Sequence, residues 1–91
     1  MALGMYFSPK GMGKAQYDEC IKQLEAAGAG APAGRLYHIC FEVGGNLRVF
    51  DVWESQAAFE QFGQTLVPIL AGLGVDVGQP DVCPVHNIVK G

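Results

Sequence analysis

Two runs of residues rich in β-branched and aromatic side chains constrain the fold most. They cover residues 35–43, RLYHICFEV, and residues 47–54, LRVFDVWE. Between them stand Gly44, Gly45 and Asn46, residue types that tolerate the positive φ angles of a tight turn. The pattern predicts an antiparallel β-hairpin in the middle of the chain.

Apolar patterns on the N-terminal side of the hairpin indicate a strand and a helix. Residues 2–8, ALGMYFS, are mainly apolar and stop at Pro9, as expected for a strand followed by a loop. From Lys14 onward, apolar side chains recur at the spacing of one helical face. Residues 28–34, GAGAPAG, then predict a flexible connection to the hairpin.

The C-terminal half of the chain predicts a second helix and a last strand. Ser55 offers an N-cap hydroxyl, and residues 59–73 carry an apolar stripe at helical spacing. Pro68 lies within this stripe and is expected to kink or divide the helix. Residues 82–89, VCPVHNIV, predict the last strand, in which Pro84 favours a position at the edge of the sheet.

The order of these elements is β-α-β-β-α-β over residues 1–91, which we interpret as a single domain of the α+β class. It is typical of a ferredoxin-like antiparallel sheet with two helices on one face. The hairpin strands are nevertheless apolar on both faces: Tyr37 and Ile39 alternate with Leu36 and Cys40. A face exposed to water would be polar, so we expect a second copy of the chain to cover it in a two-fold homodimer.

Composition and charge exclude several classes of function. Of the 91 residues, 49 % are hydrophobic and 16 % charged, and the net charge is −3 with six basic residues spread along the chain. This distribution does not indicate a nucleic-acid partner. No apolar run reaches the roughly 18 to 20 residues of a membrane span, and a signal peptide is not expected. Three cysteines without a C-x-x-C pair favour the reducing cytoplasm.

The corner between the hairpin and the second helix carries Trp53, Ser55, Ala58 and Phe59. Together with the element order, this corner resembles the dimeric α+β barrel superfamily, which includes the antibiotic-biosynthesis-monooxygenase-like domains. The resemblance implies a barrel built by two ferredoxin-like subunits. It also implies activities such as cofactor-independent oxygenation of aromatic polyketides or small-molecule isomerisation. Haem-degrading members carry a histidine on the second helix, whereas residues 56–64, QAAFEQFGQ, contain none.

His38 and His86 are the candidate catalytic residues, because an imidazole exchanges a proton near neutral pH. The alternative for each is a hydrogen-bonded interior or interface histidine. No metal site and no cofactor are expected. Zinc requires three or four convergent ligands, and in a regular strand the side chains of Cys83 and His86 point to opposite faces.

Three aromatic residues, Tyr17, Trp53 and Phe59, are candidates for binding a substrate. Tyr17 lies on the apolar face of the first helix, where its hydroxyl could reach a cavity above the sheet. The resemblance implies that Trp53 helps to hold an aromatic substrate. Packing in a core or interface is the alternative for these aromatic residues. Asp51 is interpreted as a pairing or capping carboxylate, with Arg48 or a partner subunit as its partner, rather than as a catalytic base.

Three hypotheses for function follow. The first is a dimer that binds a small apolar or aromatic molecule in a pocket lined by the two histidines and the three aromatic residues named above. The second is a cofactor-independent enzyme, monooxygenase-like or isomerase-like, that acts on an aromatic or enolisable molecule in the same pocket. The third is a structural or regulatory dimer with a filled core. The sequence leaves the substrate and the participation of oxygen open.

Overall fold

The structure is a computed structural model that describes residues 2–91. Its elements are β1 (Leu3–Phe7), α1 (Lys14–Ala26), β2 (Arg35–Val43), β3 (Asn46–Trp53), α2 (Gln56–Gly72) and β4 (Asp81–Pro84). The strands form one antiparallel sheet in the order β2-β3-β1-β4. The β-α-β-β-α-β order and the ferredoxin-like fold predicted from the sequence are therefore confirmed.

The predicted hairpin joins β2 to β3 through a turn of two residues. Val43 pairs with Asn46, and the turn residues Gly44 and Gly45 have φ angles of 57° and 85°. Two successive positive φ angles favour glycine, and they match the twist of the flanking strands. Asn46 therefore belongs to β3 rather than to the turn, and this sets which residues face each other across the hairpin.

The second helix begins where the sequence indicated. The Oγ atom of Ser55 accepts a hydrogen bond from the backbone N–H of Ala58 at 3.1 Å, which satisfies one of the free donors at the helix start. The helix runs through Pro68 without being divided. Pro68 is exposed, so its ring disturbs no packing, and it removes only one backbone donor.

The last strand is shorter than the sequence suggested. It ends at Pro84 instead of continuing to residue 89, because Pro84 already pairs with Leu3, the first residue of the neighbouring strand β1. Its position at the edge of the sheet, beside β1, is confirmed. The chain then leaves the ladder after a hydrogen bond from the N–H of Val85 to the carbonyl of Ala2 at 3.0 Å.

One face of the sheet packs against both helices and forms the core. Met5 and Trp53 are fully buried, and the other core side chains come from both helices, the central strands and Val75 in the segment after α2. On the opposite face Tyr37, Ile39 and Phe41 of β2 are 46 %, 40 % and 38 % exposed. Alternation along the strands thus separates a packed face from a second apolar face, on which these side chains of β2 are exposed in the single chain while Val52 of β3 is buried. Within residues 2–91 no helix has the length and apolar character needed to cross a membrane.

Candidate functional site

A small cavity lies between the packed face of the sheet and the two helices. Its volume, measured as the space open to the centres of water molecules, is about 60 Å³. One water needs roughly 10 to 15 Å³ on this scale, so the cavity is larger than a single water site. Its walls are mainly apolar, with contributions from Phe7, Leu66 and Leu70. The polar groups that reach it are those of Tyr17, Cys20, Arg35, His38 and Asp51. The cavity can therefore surround a small apolar group and present a few polar atoms to it.

A chain of hydrogen bonds connects three of these polar residues. The Nδ1 atom of His38 lies 2.5 Å from Oδ1 of Asp51, and its Nε2 atom lies 2.7 Å from the hydroxyl of Tyr17. His38 and Asp51 face each other across the hairpin, while Tyr17 reaches them from the first turn of α1. The second oxygen of Asp51, Oδ2, accepts from the indole N–H of Trp53 at 3.3 Å.

The direction of each bond follows from what the groups can donate. An ionised carboxylate only accepts hydrogen bonds, so the Nδ1–H of His38 donates to Asp51. The neutral ring then has a lone pair on Nε2, which accepts a hydrogen bond from the hydroxyl of Tyr17. This tautomer is assigned from the network. It gives His38 a basic nitrogen directed towards Tyr17 and the cavity.

Burial controls the ionisation of Tyr17. Removal of the phenol from water disfavours its charged form and, with a smaller contribution from the nearby thiol of Cys40, raises the pKa of Tyr17 to about 12. The positive charge of Arg35 opposes this shift, while the carboxylate of Asp51 reinforces it. Tyr17 therefore keeps its proton at neutral pH and serves as a hydrogen-bond donor.

The cysteine thiols near the cavity are not activated. Burial raises the pKa of the Cys20 thiol, and burial together with the charge of Asp18 raises that of Cys40. A raised thiol pKa lowers the fraction of thiolate, which is the reactive form. Within residues 2–91 no group of three or more His, Cys, Asp or Glu side chains is arranged to hold a metal ion.

The five residues selected from the sequence fall into three places. Tyr17 and His38 meet at the cavity wall. Trp53 and Phe59 pack edge to face in the core, with ring centroids 5.6 Å apart, and neither lines the cavity. His86 is exposed and borders a separate depression on the opposite face of the sheet, beside Tyr6. The structure thus brings together only two of the five.

Asp51 is the residue that sequence reasoning undervalued. It is buried, with 5 % of its surface exposed, and binds His38 and Trp53. The expected partner, Arg48, lies three residues before Asp51 on β3. It pairs with Phe41 and so belongs to the opposite face of the sheet. If the turn is taken as Gly44 and Gly45 alone, pairing the residues outward from Val43 and Asn46 places Asp51 opposite His38. Including Asn46 in the turn hid this pair.

The sequence matches no protein-family model. It also has no match among curated proteins. Several solved structures are nevertheless similar over almost the whole chain.

SnoaB, a cofactor-independent oxygenase from Streptomyces nogalater, superimposes with a TM-score of 0.62 at 16 % identity, covering 99 % of this chain and 96 % of its own. A putative antibiotic biosynthesis monooxygenase from Chloroflexus aurantiacus gives 0.59 at 16 % identity, covering 99 % and 97 %. Rv0793 from Mycobacterium tuberculosis gives 0.56 at 16 % identity, covering 98 % and 95 %. At such identities the likeness shows the fold alone. The chain has the ferredoxin-like α+β fold of the antibiotic-biosynthesis-monooxygenase-like proteins.

Proposed function

We propose that the protein is a cofactor-independent enzyme that removes a proton from a small enolisable or aromatic molecule. The observation that supports this most is the Asp51–His38–Tyr17 chain at the wall of an apolar cavity. A base, a carboxylate that orients it and a neutral hydroxyl donor are the groups that enolisation requires. The similarity to SnoaB, described as a cofactor-independent oxygenase, adds support at the level of the fold.

In the proposed reaction, Tyr17 and His38 act on a carbonyl group of the substrate and on the carbon beside that group. The carbonyl oxygen of the substrate accepts a hydrogen bond from the hydroxyl of Tyr17, which then no longer binds Nε2 of His38. This nitrogen takes a proton from the carbon next to the carbonyl carbon, and the electron pair of the broken C–H bond moves into the enolate. Asp51 stabilises the imidazolium through Nδ1, as a buried carboxylate does when it orients a catalytic histidine.

The fate of the enolate distinguishes the two activities. In an isomerase-like reaction the imidazolium of His38 returns the proton to a different carbon, and no other reactant is needed. In a monooxygenase-like reaction dioxygen is the oxidant: a CH₂ carbon of the substrate becomes a carbonyl that holds one oxygen atom, and the other oxygen atom leaves as water with the two hydrogens of that carbon. The raised pKa of Tyr17 supports either course, because a protonated phenol can stabilise the developing oxyanion by hydrogen bonding.

Trp53 and Phe59 support the site from behind in this proposal. The indole N–H of Trp53 fixes Oδ2 of Asp51, and the ring of Phe59 packs against both Trp53 and Phe7. Since Phe7 lines the cavity, the aromatic cluster gives the cavity a firm wall. These residues are positioning residues, and we do not include His86 because it borders the opposite face of the sheet.

A homodimer forms part of the proposal. The open sheet face carries Tyr37, Ile39 and Phe41, all more than a third exposed, and contiguous apolar patches of this kind typically mark association sites. We expect the mass of a dimer in solution at micromolar concentration, and a shift towards monomer in Phe41→Asp. A monomeric mass for the unmodified protein would contradict this part of the proposal.

The test of the proposed chemistry is proton exchange in D₂O, followed by the loss of the C3 proton signals of 2-oxobutanoate in the NMR spectrum. The unmodified protein should accelerate the exchange above the buffer rate. His38→Gln should lower the accelerated rate at least about 100-fold, since general base catalysis contributes about 10² to 10⁴. His86→Gln, the matched control on the other sheet face, should retain the rate. Equal rates in the two variants would contradict the role of His38.

A non-catalytic binding protein is the second candidate. One observation favours it: the hydroxyl of Tyr17 already occupies Nε2 of His38 at 2.7 Å, so a ligand must displace this bond before the base can act. If the hydroxyl stays in place, the cavity can still hold a small apolar group. Ligand-induced shifts of the His38 ring signals without any proton exchange would support this candidate over the enzyme.

A further inference from the structure

An irregularity in β2 brings a cation to the same side of the sheet as His38. The register shifts between Arg35, which pairs with Trp53, and Tyr37, which pairs with Val52. In a regular strand, residues three positions apart point to opposite faces. The extra residue at this bulge allows both Arg35 and His38 to line the cavity. Bulges commonly redirect side chains beside functional sites.

The guanidinium of Arg35 is held in place but only partly used. One Nη2–H donates to the carbonyl of Gly30 at 3.0 Å, and the group lies 5.8 Å from the ring centroid of Phe62. A guanidinium has five N–H donors. Among the described residues the ion pairs join Lys14 to Glu42 and His38 to Asp51, and none includes Arg35. Donors therefore remain for a ligand.

Arg35 and His38 also stand at an entrance. Both border the inner cavity and a shallow outer depression, which Pro32 and Leu36 help to line. Arg35 is the only lysine or arginine among the residues that line the cavity. The carboxylate of Asp51 is buried and already accepts from His38 and Trp53. A ligand that enters here passes a cation whose charge has no carboxylate partner.

We propose that Arg35 binds a carboxylate of the substrate, so that the protein acts on small organic acids with an enolisable carbon. This inference rests on the proposed function, because it places the acid in the cavity used for proton transfer. The planar guanidinium matches a carboxylate with two parallel hydrogen bonds. With the carboxylate held at the entrance, the enolisable carbon extends inward to His38 and Tyr17.

The test compares 2-oxobutanoate with its methyl ester, which lacks the negative charge. Proton exchange in D₂O is measured against concentration for the unmodified protein, Arg35→Gln, Arg35→Lys and the control Arg48→Gln. Arg48 is a suitable control because it pairs with Phe41 on the opposite face of the sheet and does not line the cavity. Circular dichroism establishes that each variant is folded, and Arg35→Lys keeps the charge if Arg35→Gln is unfolded.

We expect the unmodified protein to prefer the acid to the ester. Arg35→Gln should raise the KM for the acid about tenfold, the effect of losing one charge-assisted contact, and leave the ester unchanged. Arg35→Lys should be intermediate and Arg48→Gln unchanged. An unmodified protein that treats acid and ester alike, with the same ratio in Arg35→Gln, would overturn the role of Arg35 while leaving proton transfer intact.

Failure of the proposed function gives a different result. If neither compound exchanges, the role of Arg35 is measured by binding, from the His38 ring signals during addition of 2-oxobutanoate. Binding of the acid that is lost in Arg35→Gln then supports the carboxylate site without catalysis. Equal binding in the unmodified protein and Arg35→Gln, or no binding in either, overturns it.

Discussion

Replacement of Asp51 by asparagine tests the hydrogen-bond chain without requiring a substrate. Asp51 is buried, and its two oxygens accept from His38 at 2.5 Å and from Trp53 at 3.3 Å. His38 and Trp53 donate to different oxygens of Asp51, and an asparagine in the same position replaces one of these oxygens by an NH₂ group, so only one of the two donors still meets an acceptor. The NH₂ group must then face either the indole N–H or Nδ1 of the imidazole.

The expected cost follows from these two bonds. Hydrogen bonds to a charged group contribute about 1.5 to 3 kcal/mol each, so we expect Asp51→Asn to lower the free energy of unfolding by about 2 kcal/mol. With a slope of about 1 to 2 kcal/mol per molar urea for a small domain, the unfolding midpoint falls by roughly 1 to 2 M. Asp81→Asn, an exposed position in β4, is the matched control and should leave the midpoint almost unchanged.

The same variant should also change the tautomer of His38. If the new NH₂ group donates to Nδ1, the ring proton moves to Nε2, and the nitrogen directed towards Tyr17 is no longer a base. ¹⁵N spectra of the neutral ring should show Nδ1–H in the unmodified protein and Nε2–H in Asp51→Asn. An unchanged urea midpoint together with an unchanged tautomer would refute the assigned chain of hydrogen bonds.

Three further predictions concern the residues around Asp51 and His38. Tyr17→Phe removes the donor to the substrate oxygen and should lower the proton-exchange rate at least about tenfold while Nδ1–H persists in the ¹⁵N spectrum; an unchanged rate would exclude Tyr17 from the reaction. Because the pKa of Tyr17 is raised from 10.0 to about 12, its contribution to stability is complete below pH 10 and is lost as the pH rises towards 12. Ultraviolet titration should show a late phenolate step that Tyr17→Phe abolishes, and a titration identical to that of the variant would contradict the shift. Trp53→Phe leaves Oδ2 of Asp51 without its donor and opens space in the core, so we expect a loss of about 1 to 3 kcal/mol; a urea midpoint equal to that of the unmodified protein would show that the indole bond contributes nothing.

Local patterns in the sequence were sufficient to predict the order of the elements. The glycine pair of the turn, the cap at Ser55 and the periodicity of the two helices each depend on near neighbours. Two features were harder to predict: the helix that continues through Pro68 and the early end of β4 at Pro84. In both places the outcome depends on which side of the proline meets solvent or another strand, which a linear pattern does not contain.

The candidate site depended on register more than on residue type. A difference of one residue in the length of the turn decides whether His38 faces Asp51 or Val52. The bulge between Arg35 and Tyr37 likewise reverses the face on which Arg35 lies, and none of the residues 35–37 is a glycine or proline that would predict it. His86 was grouped with His38 because both were predicted in apolar strands, but His86 lies beyond the end of β4 and borders the sheet face opposite to the cavity.

The most direct measurement of the central claim is a crystal structure of the unmodified protein with 2-oxobutanoate. We predict the carbonyl oxygen of the ligand within hydrogen-bond distance of the Tyr17 hydroxyl and C3 next to Nε2 of His38, with the bond from Nδ1 to Asp51 retained. A ligand bound on the opposite sheet face beside His86, with the Tyr17–His38 bond intact, would contradict the claim.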